Sequence, residues 1–384
     1  MVYIPIPRPP REGKPEPPGT KLSPRARFWV VIALAVLMFY LLGFLLATRA
    51  HATFSIVAYD SVTQEIGVAV QSRAFSVGGA VPWVEAGVGG IATQASTNES
   101  FGPLGLDRLR RGQPAEEVLR ALLDADSGRA HRQLGIVDVK GRSISFTGAD
   151  CSAWAGHRTG PGYAIQGNLL AGEAVVAGME RAFLETKGDL GDRLLAALEA
   201  GQAAGGDKRG MQSAALIIGR PSDDYPEYRT RYVDLRVEDA KDPIHEIRRV
   251  YLIHETDGLA EAHLRYAASA EKAGKKDLAA LERSRVGEAL RRAVARGEND
   301  PQNLNGLAWA CATNDMFLPE ATAAAERAVS LAPKDTGILD TLAECYFRAG
   351  RTEQAIETMG RALALAPDDN YLKGQMARFR ASKR

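Results

Sequence analysis

The chain has 384 residues and carries 48 lysines and arginines against 47 aspartates and glutamates, for a formal net charge of +1 at pH 7. That length fits two or three folded units, and the near-cancelling charge excludes the basic field on which nucleic-acid binding rests. Three cysteines, Cys151, Cys311 and Cys345, and six histidines without ligand spacing make neither a disulfide framework nor a metal site, so no metal and no cofactor are expected.

Residues 1–27 are rich in proline and carry Arg8, Arg11, Lys14, Lys21, Arg25 and Arg27. Such a composition buries no core and is expected to stay disordered. Residues 28–47, FWVVIALAVLMFYLLGFLLA, carry no charge, and as a helix they would span about 30 Å, the thickness of the hydrocarbon core. With the cations in front of it, this segment predicts contact with a membrane, the N-terminus in the cytoplasm and the rest of the chain across. The length favours a permanent single-pass anchor in the cell membrane, a signal-anchor. The triplet Ala50-His51-Ala52 favours a cleaved signal and a secreted or periplasmic product. Both readings stay open.

After the triplet the pattern becomes β. TFSIVAYD (53–60) and IGVAVQS (66–72) flank a polar turn and predict a hairpin, and VGGIATQAS (88–96) predicts a third strand. The period then changes to helical over 100–112 and 114–126, where Pro114 suits a first turn. QLGIVDV and SISFTG around KGR, and then YAIQGN, return to strand. A helical pair over 172–201 precedes the strands SAALIIG and RYVDLRV. Strands bunch and helices come in pairs, which argues for packed sheets with helices outside and against a doubly wound βαβ sheet.

Beyond DPIHEIRRVYLIHETD the composition turns to alanine, arginine and glutamate with no strand signal. Leu339, Leu342, Ala343, Tyr346, Gly350, Ala355, Met359, Ala362 and Pro367 fall at the spacings of a tetratricopeptide repeat, and Ala366-Pro367 echoes Ala332-Pro333 at 34 residues. The preceding stretch from Asn303 reads as a second unit, and 261–298 as a degenerate repeat or a cap. The region 261–384 is thus expected to be an all-α solenoid, each unit burying its face on the next, with a protein partner docked on it.

The blocks ATFSIVAYD, GVAVQSRAFSVGGAVPWVEAGVGGIATQA, WAGHRTGPGYAIQGNLLAG and GQAAGGDKRGMQSAAL resemble the domain of unknown function 1028 family, which is grouped with the N-terminal nucleophile hydrolases. The resemblance covers 53–254. It implies an α+β fold, a four-layer αββα sandwich, with Thr53 at the position of the nucleophile that processing exposes. A free α-amine beside a hydroxyl supplies base and nucleophile together. The substrate implied is a small amide or peptide-like molecule. Proteasome-type members place a lysine near the threonine, whereas no lysine lies between Thr53 and Val139 here, which counts against proteasome-like peptide cleavage.

Around Thr53 the candidate site comprises Asn168 and the backbone near Gln94 and Ala95 as oxyanion donors, Asp60 as an orienting carboxylate, and Arg73, Gln94 and His157 for substrate. Each has a plainer alternative. Thr53 reads equally as an ordinary strand threonine, Asp60 as a turn former, Arg73 as a surface ion pair and His157 as a packed histidine near Trp154. Cys151 is a rival nucleophile that no neighbouring residue activates. Two functions follow: an extracytoplasmic amidohydrolase with a docking repeat region, or a membrane-anchored scaffold without catalysis. Oligomerisation stays open.

Overall fold

The computed structural model describes residues 53–221 and 231–382, together with Trp29, Val30, Ile32, Leu34 and Met38. Those five are helical and exposed. The expected disordered segment 1–27 and most of the expected span 28–47 lie outside the described residues. Among the described residues no helix is long and apolar enough to cross a membrane.

Among the described residues, ten strands make two antiparallel sheets. The first holds six in the order β10 (Arg231–Val237), β9 (Ser213–Gly219), β2 (Glu65–Ser72), β1 (Thr53–Asp60), β8 (Tyr163–Asn168), β7 (Gly156–Gly160); the second holds β3 (Pro82–Glu85), β4 (Gly89–Ala95), β5 (Arg132–Asp138), β6 (Ser143–Thr147). Strands β1 and β2 form the expected hairpin, Thr53 opposite Ser72 and Asp60 opposite Glu65. Asp60 Oδ1 closes its turn by accepting from the N–H groups of Val62 at 2.9 Å and Thr63 at 3.2 Å. Strands β3 and β7 were not expected. Each is short and lies at a sheet edge: β3 opens on Pro82, tolerated where one side needs no ladder bond, and β7 reads GHRTG, without an apolar period.

The central strand β1 is buried on both faces over Thr53–Ala58, and its Ile56, Val57 and Ala58 run apolar without alternation. Phe54, Ile56 and Ala58 enter a core beneath α3 (Ala174–Glu185), α4 (Leu190–Ala203) and α5 (Pro243–His254). Val57 faces the other way, into the core shared with Ala92 of β4 and Val137 of β5. Helices α1 (Phe101–Arg110) and α2 (Ala115–Asp124) cover the outer face of the second sheet through Leu106, Leu109, Val118 and Leu122. The result is the four-layer αββα sandwich, followed by an all-helical repeat region.

The boundary expected between 254 and 261 is not a linker. Helix α5 passes through one π-helical turn, Glu255–Leu259, directly into α6 (Ala260–Lys272), which turns back as α7 (Lys276–Ala295). From there α8 (Pro301–Thr313), α9 (Leu318–Leu331), α10 (Thr336–Arg348), α11 (Thr352–Leu365) and α12 (Asn370–Ala381) form one continuous alanine- and leucine-rich core. Asp335 and Asp369, one repeat length of 34 residues apart, cap α10 and α12 by accepting from backbone N–H groups at the next turn.

The α6–α7 hairpin is fastened to the sandwich by buried charge. Arg220, just after β9, lies 2.8 Å from Glu282 Oε1 and 3.4 Å from Glu65 Oε1; Arg285 Nη1 reaches Glu65 Oε1 at 3.0 Å; His263 Nδ1 is 2.8 Å from Glu282 Oε2. All five side chains are buried. The Arg220 guanidinium also stacks 3.8 Å from the centre of the Tyr266 ring. Burial pushes the Glu282 carboxyl up, but the hydrogen bond with His263 and the charges of Arg220 and Arg285 outweigh it and hold the group at about 2. A second cluster joins Arg292 of α7 to Asp192 at 2.5 Å and to Glu255.

Candidate functional site

Thr53 is the first residue of β1 and only 2% exposed. Its backbone sits between Ser72 on one neighbour and Asn168 on the other. Because Phe54 faces the helices, Thr53 and Ser55 must face the second sheet. The Thr53 hydroxyl lies 3.0 Å from that of Ser72, and both hydroxyl-bearing residues line a pocket of about 370 Å³ at this end of the sandwich.

The floor beneath Thr53 is polar but closed. Gln94 Nε2 donates to the Thr53 carbonyl at 3.1 Å and to Gln133 Oε1 at 2.8 Å, while its Oε1 accepts from Ser55 Oγ at 2.6 Å. Gln166 Nε2 donates to the same Ser55 oxygen at 2.6 Å, and Asn168 Nδ2 donates to Gln133 Oε1 at 3.1 Å. Gln133 Nε2 in turn serves the Gly167 carbonyl at 2.8 Å and Thr147 Oγ1 at 2.9 Å. These amides occupy the layer between the sheets, where an unpaired polar group would cost about 1–3 kcal/mol. Gly135 makes the packing feasible: a Cβ there would lie 2.1 Å from Gln166 Oε1.

The pocket above Thr53 is walled by the segment after β2 and the end of β4. Ser76 and Ala95 both line it and both hold left-handed backbone, at φ 55° and 71°. Non-glycine residues in that region are costly, by about 1–3 kcal/mol each, and concentrate at functional sites. Phe75 is 70% exposed at the wall, and Glu99 and Arg132 supply the charges. Arg132 is engaged: Nε donates to Asp126 at 2.7 Å, Nη2 to the same carboxylate at 3.3 Å, and Nη1 to the Ser96 carbonyl. The hydrogen bond with Arg132 holds the Asp126 carboxyl below its ordinary range.

The expected residues divide accordingly. Thr53, Gln94 and Asn168 come together. Asn168 is not aimed freely at an oxyanion, since its amide is bonded within the floor, and Gln94 holds the backbone of Thr53 instead of lining the pocket. Asp60 lies at the opposite end of β1, seven residues and roughly 23 Å away, where it also receives Arg193 at 3.4 Å; it forms a turn. Arg73, next to Ser72, donates its backbone N–H to Asp207 at 3.0 Å and its Nη1 to Gln212 at 3.0 Å. His157 is on the edge strand β7 with Nδ1 2.9 Å from Thr147 Oγ1, and burial pushes its imidazole down; it neither reaches Thr53 nor lines the pocket. Cys151 donates to the Arg132 carbonyl at 3.3 Å, and burial pushes its thiol up, against the low value a thiolate nucleophile requires.

Sequence reasoning missed Phe75, Glu99 and Arg132, which lie in loops or at a strand start and form no motif. Ser72 was within reach. A hairpin of two eight-residue strands around a four-residue turn pairs position 53 with 72 by register alone.

A family model described as "Family of unknown function (DUF1028)" matches residues 53–247, and one described as "Tetratricopeptide repeat" matches 318–379. Among solved structures, protein SPO2555 from Silicibacter pomeroyi, which carries the same DUF1028 model, is 33% identical over 53% of this chain and 89% of its own, with a TM-score of 0.48. The first tetratricopeptide domain of human RPAP3 is 18% identical over 34% of this chain and 92% of its own, with a TM-score of 0.24. The second domain of that human protein, in complex with an HSP70 peptide, is 15% identical over 33% and 98%, with a TM-score of 0.23. No curated protein matches the chain.

Proposed function

The chain belongs to the DUF1028 family of unknown function through residues 53–247, and on that footing we propose that it is an amidohydrolase whose nucleophile is Thr53, freed by cleavage after Ala52. The observation that carries this reading is the buried Thr53 hydroxyl at the start of the central strand, 3.0 Å from Ser72 and lining a pocket of about 370 Å³. Only a free α-amine has a lone pair to serve as base; its ordinary pKa of about 8 suits neutral pH.

In the proposed reaction the amine takes the hydroxyl proton, directly or through one water, as Thr53 Oγ1 attacks the substrate carbonyl. The C–O bond forms, the C–N bond breaks, and the proton leaves with the departing amine. Water then attacks the Thr53 ester, giving the acid and restoring the hydroxyl. Ser72 holds the attacking oxygen, and the Gln94 amide fixes the Thr53 carbonyl so that strand and nucleophile keep one orientation. The cationic flank before residues 28–47 supports placing the folded part outside the cytoplasmic membrane. The tetratricopeptide match supports a protein docked on the repeats.

Intact mass of the wild type, Thr53→Ala and Thr53→Ser, each with a screen of small amides, tests the proposal. A mature chain starting at residue 53, hydrolysis in the wild type, activity retained in part by Thr53→Ser and none in Thr53→Ala are expected. Hydrolysis by a chain that still contains residues 28–52 would sink it. A signal-peptidase cut survives Thr53→Ala, whereas self-processing does not.

A further inference from the structure

Of the side chains lining the Thr53 pocket, two are charged, Glu99 and Arg132. Arg132 is neutralised within the fold by Asp126, at 2.7 and 3.3 Å, and further held by the Ser96 carbonyl. Glu99 makes no side-chain hydrogen bond or ion pair among the described residues, and it is exposed. The amine of a processed Thr53 does not cancel it in the working state, because the base form is neutral. The pocket therefore carries one uncompensated negative charge. Phe75, 70% exposed, lines the same pocket. A ring exposed to that extent keeps most of its surface in solvent, where a ligand can meet it.

We propose that this pocket selects an amide whose acyl part bears an organic cation, a primary ammonium or a guanidinium, received by the Glu99 carboxylate and the face of Phe75. A carboxylate and an aromatic face are the two groups that attract such a cation, one by its charge and one by the ring quadrupole. A volume near 370 Å³ is at the small end of ligand sites, enough for one residue-sized acyl group and too little for a folded chain. The inference rests on the Thr53 reading given above.

The test uses mature protein beginning at Thr53 and three electrophiles that add to a threonine hydroxyl: the vinyl sulfones of acetyl-lysine, acetyl-norleucine and acetyl-glutamate. Labelling rates are read by intact mass, and the labelled residue by peptide mapping. The lysine probe is expected to label Thr53 about tenfold faster than the norleucine probe in roughly 50 mM salt, with the glutamate probe slowest. The advantage should shrink several-fold near 0.5 M salt, as expected of an exposed charge. Glu99→Gln should remove most of it, Glu99→Lys should favour the glutamate probe, and Phe75→Leu should reduce it without reversing it. Equal labelling by all three, or a lysine preference untouched by Glu99→Gln, overturns the inference while leaving Thr53 as nucleophile. Failure of every probe to label Thr53 on folded, mature protein overturns the nucleophile reading and this inference with it.

Discussion

Ser72 makes the sharpest residue-level case, because its buried hydroxyl lies 3.0 Å from that of Thr53. Ser72→Ala should lower kcat about tenfold or more with KM unaffected, at a stability cost of about 1–3 kcal/mol for the buried groups left unpaired; stopped assays on the amide found in the screen and urea unfolding measure the two. The same chemistry fixes the pH profile. Activity depends on the unprotonated amine, so kcat/KM should climb with pH through about 8 and not follow a histidine titration near 6.5. Gly135 offers a structural counterpart. A methyl there meets Gln166 Oε1 at 2.1 Å, so Gly135→Ala must displace Gln166 from Ser55 and cost on the order of 1–3 kcal/mol in urea unfolding.

Among elements, the α6–α7 hairpin is helical as expected and is fastened to the sandwich by ion pairs. Glu282 is buried among Arg220, Arg285 and His263, and removing it takes one of two buried carboxylates from the arginines, which keep Glu65, and strips His263 of its carboxylate partner. Glu282→Ala should cost about 3–5 kcal/mol, seen as a lower midpoint and faster hydrogen exchange in α6 and α7. The pH dependence has a definite sign. A carboxyl held at about 2 when folded and near 4.5 when unfolded contributes fully above 4.5. That contribution, roughly 3 kcal/mol, is lost as pH falls from 4.5 towards 2. Urea midpoints of the wild type and Glu282→Gln should therefore converge over that window. In the sequence the shift to alanine, arginine and glutamate near residue 258 reads as a domain break. Composition registers the change from sheet to solenoid, but it is blind to a helix that continues through one π turn, Glu255–Leu259, and to ions that pair across more than 200 positions, as Glu65 and Arg285 do.

At the scale of the molecule, the layered sandwich and the repeats were legible because both follow from periodicity: strands grouped apart from paired helices, and a 34-residue echo. Thr53 was legible through the family blocks and the register of its hairpin. Asp60 and His157 stayed open between a site role and a plainer one because strand membership does not say which end, or which edge, a residue occupies. Phe75, Glu99 and Arg132 were invisible because loops converge in space without leaving a period in the chain. The fastening of the hairpin leads to a whole-molecule expectation that differs from independent units. A chain ending before Ala260 loses Arg285, Glu282 and Arg292 together, and with them the ion pairs to Glu65, Arg220, Asp192 and Glu255. It should melt lower than the sandwich does within the full chain, by several degrees for each kcal/mol lost, as differential scanning calorimetry on both lengths would show.

The place where the hairpin grips the sandwich also fixes how the molecule bears load. Glu65 opens β2 and Arg220 follows β9, and both are interior strands of the six-stranded sheet, held on each side by a neighbour. A pull on the repeats thus enters the sheet at its middle, where β2 and β9 are each held by ladder bonds on both sides, and not at an edge strand held on one side alone. Ser72 lies at the far end of β2, roughly 23 Å from Glu65 by strand length, with Thr53 paired beside it at the start of β1. Whatever tugs on the solenoid is anchored away from the pocket, which can stay open and in register under tension.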